Sequence, residues 1–224
     1  DFVVRLARAA TGRRRVVAVD GGFHGTTGVG AHLGDERFVA WAEPRSAEVT
    51  RVRRWDLDAM AQALAAGDVA VVLAETVQAS SGMHLPPPGY YPTLAELCRD
   101  AGVPLVLDEV QTGWGRTGKL WAFEHFGVVP DAVILGKGMT GGLYPMAGCV
   151  YDPRLAERLE RDPFVQQSTG GGAELGCVVT ERVLDLVEQP GFLPRVQHLA
   201  ARLAAGLAGL AARQPAVREV HQLG

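Results

Sequence analysis

Cysteine is scarce in this chain. Only Cys98, Cys149 and Cys177 are present, with no C-x-x-C and no closely spaced pair. That argues against a disulfide framework or a zinc knuckle and suits a reducing cytoplasm. No apolar run approaches the roughly 18 residues of a membrane span, and no signal-peptide pattern opens the chain. Neither sign of charge dominates. The 22 Lys and Arg against 25 Asp and Glu leave a formal net charge of −3, which gives no electrostatic reason to expect nucleic acid or an anionic membrane. The six histidines are scattered without an H-E-x-x-H or comparable pair, so no metal site is expected. The basic run Arg13-Arg14-Arg15 reads as a helix end and a solvated turn rather than a polyanion site.

What is present is a globular pattern. With 224 residues and 47% apolar content, the chain can build one substantial core and part of a second domain. Helical spacing runs from Phe2 to Ala10 and stops at Gly12, and an apolar run then ends in Asp20-Gly21-Gly22. An Ala-rich helix is expected from Leu57 to Ala66, followed by the uniformly apolar Val69 to Glu75. After the proline-rich loop HLPPPGYYP come a helix from Thr93 to Ala101 and two further apolar runs, Val103 to Val110 and Asp131 to Lys137. Met146 to Val150 reads as one more strand, and Glu174 to Arg213 is helical with a break at Pro190-Gly191. Strands alternating with helices, each strand apolar on both faces, predict an α/β fold with a mainly parallel sheet flanked by helices. Asp1 already sits in a helical pattern, and Val217 to Gly224 resembles the beginning of a strand. Both features are those expected of a piece of a longer protein.

Parallel sheets gather ligands at the carboxyl ends of their strands. There stand Glu75, closing VVLAE; Asp108 and Glu109, closing LVLDE; and Lys137, closing VILGK. Each alone is an ordinary strand end reaching solvent. Lys137 is less ordinary, because Gly136 and Gly138 let backbone pack closely around it. A lysine in such a pocket can form an imine with an aldehyde cofactor, provided desolvation or a neighbouring cation helps it give up its proton. A carboxylate such as Asp108 facing a pyridine nitrogen would keep that nitrogen protonated.

The stretch LVLDEVQTGWGRTGKLWAFEHFGVVPDAVILGKGMTGGLYPMAG, from Leu105 to Gly148, resembles the class III aminotransferases of the fold-type I pyridoxal-phosphate superfamily. GFHGTT at Gly22 to Thr27, ETVQ at Glu75 to Gln78 and QSTGGG at Gln167 to Gly172 agree with that family in order. The resemblance implies the large domain of that fold over residues 1–174, incomplete at its N-terminus. Over 175–224 it implies connecting helices and the start of a smaller C-terminal domain. It implies pyridoxal 5'-phosphate held by Lys137 as a Schiff base, with Asp108 paired to the pyridinium nitrogen. Val110 and Phe23 would cover the two ring faces, though both residue types also suit plain core packing. Gln111 would meet the phenolic oxygen, His24 would stand beside Phe23, and Glu75 would line the site. Thr169 would reach a cofactor phosphate across the interface of a homodimer. The implied reaction moves an amino group from a primary amine or amino acid to a 2-oxo acid. An aminomutase, a decarboxylase or a non-catalytic fragment remain alternatives.

Departures from the family pattern surround the pocket. Thr26 stands where arginine is common, Thr76 where proline is, Ala79 where glycine is, Gly170 where phenylalanine is, and Ala173-Glu174 where Asn-Pro is. Ser80 occupies the place of a second glutamate found in ornithine- and 4-aminobutyrate-type members. The family's phosphate loop and carboxylate-binding arginine would lie upstream of Asp1 and downstream of Gly224. One decoy needs testing. Gly113 to Lys119 fits the phosphate-loop spacing G-x-x-x-x-G-K, but Leu120 stands where a Mg²⁺-binding hydroxyl is required.

Overall fold

The computed structural model describes residues 1–39 and 48–224. Six strands form one sheet: β1 (Arg15–Val19), β2 (Val49–Val52), β3 (Val69–Glu75), β4 (Leu105–Asp108), β5 (Ala132–Leu135) and β6 (Gly148–Tyr151). Their order is β2-β1-β3-β4-β5-β6; all neighbours are parallel except the β5–β6 pair, which is antiparallel. The helices are α1 (Phe2–Thr11), α2 (Gly28–Leu33), α3 (Glu36–Val39), α4 (Leu57–Ala65), α5 (Tyr90–Asp100), α6 (Pro153–Arg161), α7 (Glu174–Val187) and α8 (Phe192–Arg213).

The uniformly apolar strands are buried on both faces, as their composition requires. All seven residues of β3 are buried. Alternation along the strands sorts them into two layers. Val72, Ala74, Leu105 and Leu107 pack with Met60 and Leu64 of α4 and with Tyr91 and Leu94 of α5. On the other face, Val71, Leu73 and Val106 pack with Val3, Val4 and Leu6 of α1 and Leu155 of α6. Each such fully buried aliphatic side chain contributes about 1.5–3 kcal/mol. Gly12 closes α1 in the left-handed conformation (φ 68°), its N–H donating to the Arg8 carbonyl. The basic run that follows finds its partners locally. Arg14 pairs with Glu48, Arg15 with Asp68, and Arg13 donates to the carbonyls of Val69, Ala101 and Gly102.

Several boundaries differ from the sequence reading. Helix α5 begins at Tyr90 rather than Thr93, because Pro92 falls in the first turn, where a missing N–H costs no helical bond. Strand β4 covers only the middle of Val103 to Val110. β5 ends at Leu135, two residues before Lys137, which opens a 3-10 turn, Lys137–Thr140. Val217 to Gly224 forms no strand. It lies along the surface without a backbone ladder, His221 bonding to the Gly82 carbonyl and Gln222 donating to that of Ala200. Strand β2, which the sequence reading passed over, is short, polar in part and at the sheet edge.

Candidate active site

From β1 the chain proceeds to β2 on one side of it and then returns to β3 on the other. That reversal opens a crevice at the carboxyl ends of β1 and β3, where ligands bind in sheets of this kind. The loop leaving β1 carries Phe23 and His24 into it. Glu75, at the end of β3, accepts from the Phe23 N–H (Oε1, 2.8 Å) and the Ala79 N–H (Oε2, 3.2 Å). Tyr91 of α5 donates to the Glu75 carbonyl at 2.6 Å, tying the strand end to the helix layer. Burial pushes the Glu75 carboxyl above its ordinary value, while His24 and the two amides pull the other way.

Glu75 and Asp108 are direct partners in the β3–β4 register, so both emerge at the same level. Asp108 accepts from His24 Nδ1 at 2.9 Å through Oδ2 and from the Val110 N–H at 3.0 Å through Oδ1. Because a carboxylate oxygen accepts, Nδ1 of His24 is the donor in this contact.

Lys137 lies three residues beyond Ile134, which pairs with Asp108 across β4–β5. Its φ of 40° places it in the left-handed region, a strain that surrounding structure must hold and that concentrates at functional sites. Nζ is exposed and donates to Gln111 Oε1 at 2.7 Å. Val110 packs against Gly136, leaving about 3.3 Å to where a Cβ would stand, and the Trp114 side chain crowds Gly138 in the same way. Lys137 and Gln111 open onto a cavity of about 720 Å³, walled by Trp114, Val183 and Phe192 among others.

The fold therefore assembles Phe23, His24, Glu75 and Asp108 at the ends of β1, β3 and β4, with Val110, Gln111 and Lys137 beside them. Thr169 is not joined to this group by any hydrogen bond among the described residues. It is exposed on a turn that Gly171 closes onto the Ser168 carbonyl. The phosphate-loop decoy is resolved by backbone geometry. The N–H groups of Gly115, Arg116 and Gly118 donate inside the loop, to Leu120, Gly113 and Gly115, and Lys119 Nζ donates to the Glu124 carbonyl. Those N–H groups and the lysine amine are turned to protein partners rather than to an anion, and the segment leads into a five-residue 3-10 turn, Ala122–Phe126.

One residue here was undervalued in the sequence. Glu109 is completely buried, where its place beside Asp108 at a strand end predicts an ordinary charge reaching solvent. Its Oε1 accepts from Thr76 Oγ1 (2.8 Å) and the Phe123 N–H (2.9 Å). Oε2 accepts from Thr112 Oγ1 (2.6 Å) and the Ala122 N–H (3.1 Å). The available signal was a threonine following each of the neighbouring motif residues, Glu75 and Gln111.

The chain as a whole belongs to a recognisable class. The family described as Aminotransferase class-III matches residues 2–224, and the chain belongs to it. An uncharacterized aminotransferase of Archaeoglobus fulgidus is 40% identical over 224 residues, covering 100% of this chain and 53% of that protein. The ornithine aminotransferase of Toxoplasma gondii superposes with a TM-score of 0.93 at 27% identity, over 99% of this chain and 55% of that one. An amine transaminase from an uncultivated Pseudomonas species, solved in a PLP-bound form, gives 0.90 at 28% identity, over 99% and 57%. The expected fold, a mainly parallel sheet flanked by helices, is the one these proteins share. The chain spans about half the length of the curated relatives it matches.

Proposed function

We propose that this chain holds the cofactor of a pyridoxal-phosphate-dependent aminotransferase that moves an amino group from a primary amine or amino acid to a 2-oxo acid. The observation that carries this reading is that adjacent strands deliver a buried carboxylate, Asp108, held by His24 Nδ1 at the end of β4, and an exposed amine, Lys137, bonded to Gln111 two residues past the end of β5.

The residues fit pyridoxal phosphate by their own chemistry: a primary amine, a carboxylate, an amide, and an aromatic and an aliphatic side chain near one crevice. When bound, that group supplies an aldehyde carbon for amines and a ring that withdraws electrons from the neighbouring carbon. Lys137 would hold it, and Asp108 would face its ring nitrogen. Gln111 would meet its hydroxyl, Val110 and Phe23 its two faces, and Glu75 would line the site. His24, itself buried, donates to the Asp108 carboxylate and so holds it in one orientation. Lys137 Nζ is the base that takes a proton from the substrate and returns it.

Thr169 would serve across a homodimer interface, for which its exposed glycine-rich turn is suited. We assign residues 1–174 to the large domain, and 175–224 to connecting helices and the start of a smaller one. In support, α8 has no buried residue and exposes Leu199, Leu203 and Leu210. No described helix is long and apolar enough to cross a membrane. The three cysteines, all unpaired, suit our assignment to the cytoplasm.

The test is an absorbance spectrum of the purified protein with pyridoxal phosphate, before and after borohydride, for the wild type and Lys137→Ala. A visible band that reduction fixes in the wild type and that Lys137→Ala lacks is the expected result. No band in the wild type would overturn the reading.

A further inference from the structure

Glu109 spends its whole hydrogen-bonding capacity on holding the candidate site together. Its carboxylate draws donors from three separate segments. Thr76 directly follows Glu75, Thr112 directly follows Gln111, and Ala122 and Phe123 begin the turn that closes the 113–121 loop. Its backbone N–H donates to the Ile134 carbonyl at 2.9 Å, three residues before Lys137. The loop so anchored carries Trp114, whose Cβ backs onto Gly138 on the far side of Lys137. We infer that Glu109 is a positioning residue, which sets Gln111 and Lys137 against Asp108 and Glu75 without touching the cofactor or substrate itself. This inference rests on the aminotransferase reading above.

The residue type matters as much as the place. Four donors fill the acceptor positions of an ionised carboxylate. An amide of the same shape offers one acceptor oxygen and would turn its NH₂ toward two donors. Burial works against the charge and pushes the Glu109 carboxyl upward, while all four donors oppose that shift. A buried network of this kind holds one geometry when complete and several when broken.

The experiment compares holoprotein of the wild type, Glu109→Gln and Thr112→Val, by pH titration of the visible cofactor band and by pyridoxal phosphate affinity. Hydrogen exchange over residues 110–126 of the cofactor-free protein provides a readout independent of the cofactor. We expect Glu109→Gln to move the titration midpoint by about 1 pH unit. Affinity should fall about tenfold, since small misplacements of a site are costly. Thr112→Val should shift both in the same direction by less, and exchange should quicken in 110–126 ahead of β3. A lowered melting temperature with unchanged midpoint and affinity would make Glu109 structural only and overturn the inference. If Glu109→Gln does not fold, Thr112→Val decides by the same criterion. A wild type without a band overturns the aminotransferase reading and this inference with it. A normal wild-type band with unshifted variants overturns this inference alone.

Discussion

His24 Nδ1 stands 2.9 Å from Asp108 Oδ2, with the two side chains only 2% and 8% exposed. The contact joins the loop after β1 to the end of β4, across β3. Replacing His24 with Leu leaves a buried carboxylate oxygen without its donor, an expected loss of about 2 kcal/mol in urea unfolding. His24→Asn, whose amide can present an N–H near the same place, should recover most of it. Equal losses in the two variants would show that ring packing, not the hydrogen bond, is what matters.

Glu75 gives the stability a pH dependence of definite sign. Burial holds its carboxyl above the ordinary value of 4.5, so the native state keeps a proton that the unfolded chain has lost. The stabilisation is complete below the ordinary value and is lost as pH rises through the raised one. Asp35, Glu48, Asp68 and Asp152, each held low by an arginine, titrate below that window. Urea midpoints should therefore carry a Glu75 contribution that falls with rising pH above about 4.5, set against an opposite contribution from His84 and His125, which burial holds below their ordinary value. In Glu75→Gln, which cannot ionise, the Glu75 contribution should vanish while that of Glu109, raised as well, remains. Parallel slopes in the two proteins would contradict this.

Gly113 has no room for a side chain. A Cβ there would stand 2.9 Å from Trp121 ring carbons and 3.0 Å from the Glu109 carbonyl oxygen. Gly113→Ala should destabilise by about 1–3 kcal/mol, the usual range for overpacking. It should also change the near-ultraviolet circular dichroism of the edge-to-face Trp114–Trp121 pair, whose centroids are 5.4 Å apart. A thermal melt and spectrum matching the wild type would refute the close fit.

Lys119 has the opposite expectation. Its only described hydrogen bond is to the Glu124 carbonyl at the surface. Lys119→Ala should stay within about 0.5 kcal/mol of the wild type. ATP should raise the melting temperature of neither protein. A nucleotide-dependent rise that Lys119→Ala removes would revive the phosphate-loop reading.

Much of the candidate site was legible because its residues sit where a pattern changes. Glu75, Asp108 and Lys137 each end an apolar run, and a run buried on both faces announces a parallel strand whose carboxyl end is a ligand-binding position. Glu109 was not legible in the same way. A charge at the end of a strand looks identical whether it reaches solvent or turns inward. Only the return of Ala122 and Phe123 to its side, thirteen and fourteen residues later, makes it a buried anchor. The 113–119 segment shows the converse. Its spacing matched a phosphate cradle, but where the loop closes turns the N–H groups of Gly115, Arg116 and Gly118, and the Lys119 amine, to carbonyls of the protein.

The sequence by itself determined the layered α/β architecture and the identities of the polar strand ends, which follow from periodicity and side-chain type, while the resemblance of residues 105–148 pointed to the family. Tertiary structure alone decided strand order, the β1–β3 crevice, the antiparallel course of β6 and the pairing of His24 with Asp108. It also decided that Lys137 lies past its strand, at φ 40° in a turn. The reason is physical. Local sequence governs which backbone conformations and faces are favourable, whereas these features depend on which distant segments meet. That meeting is settled by the packing of the whole core.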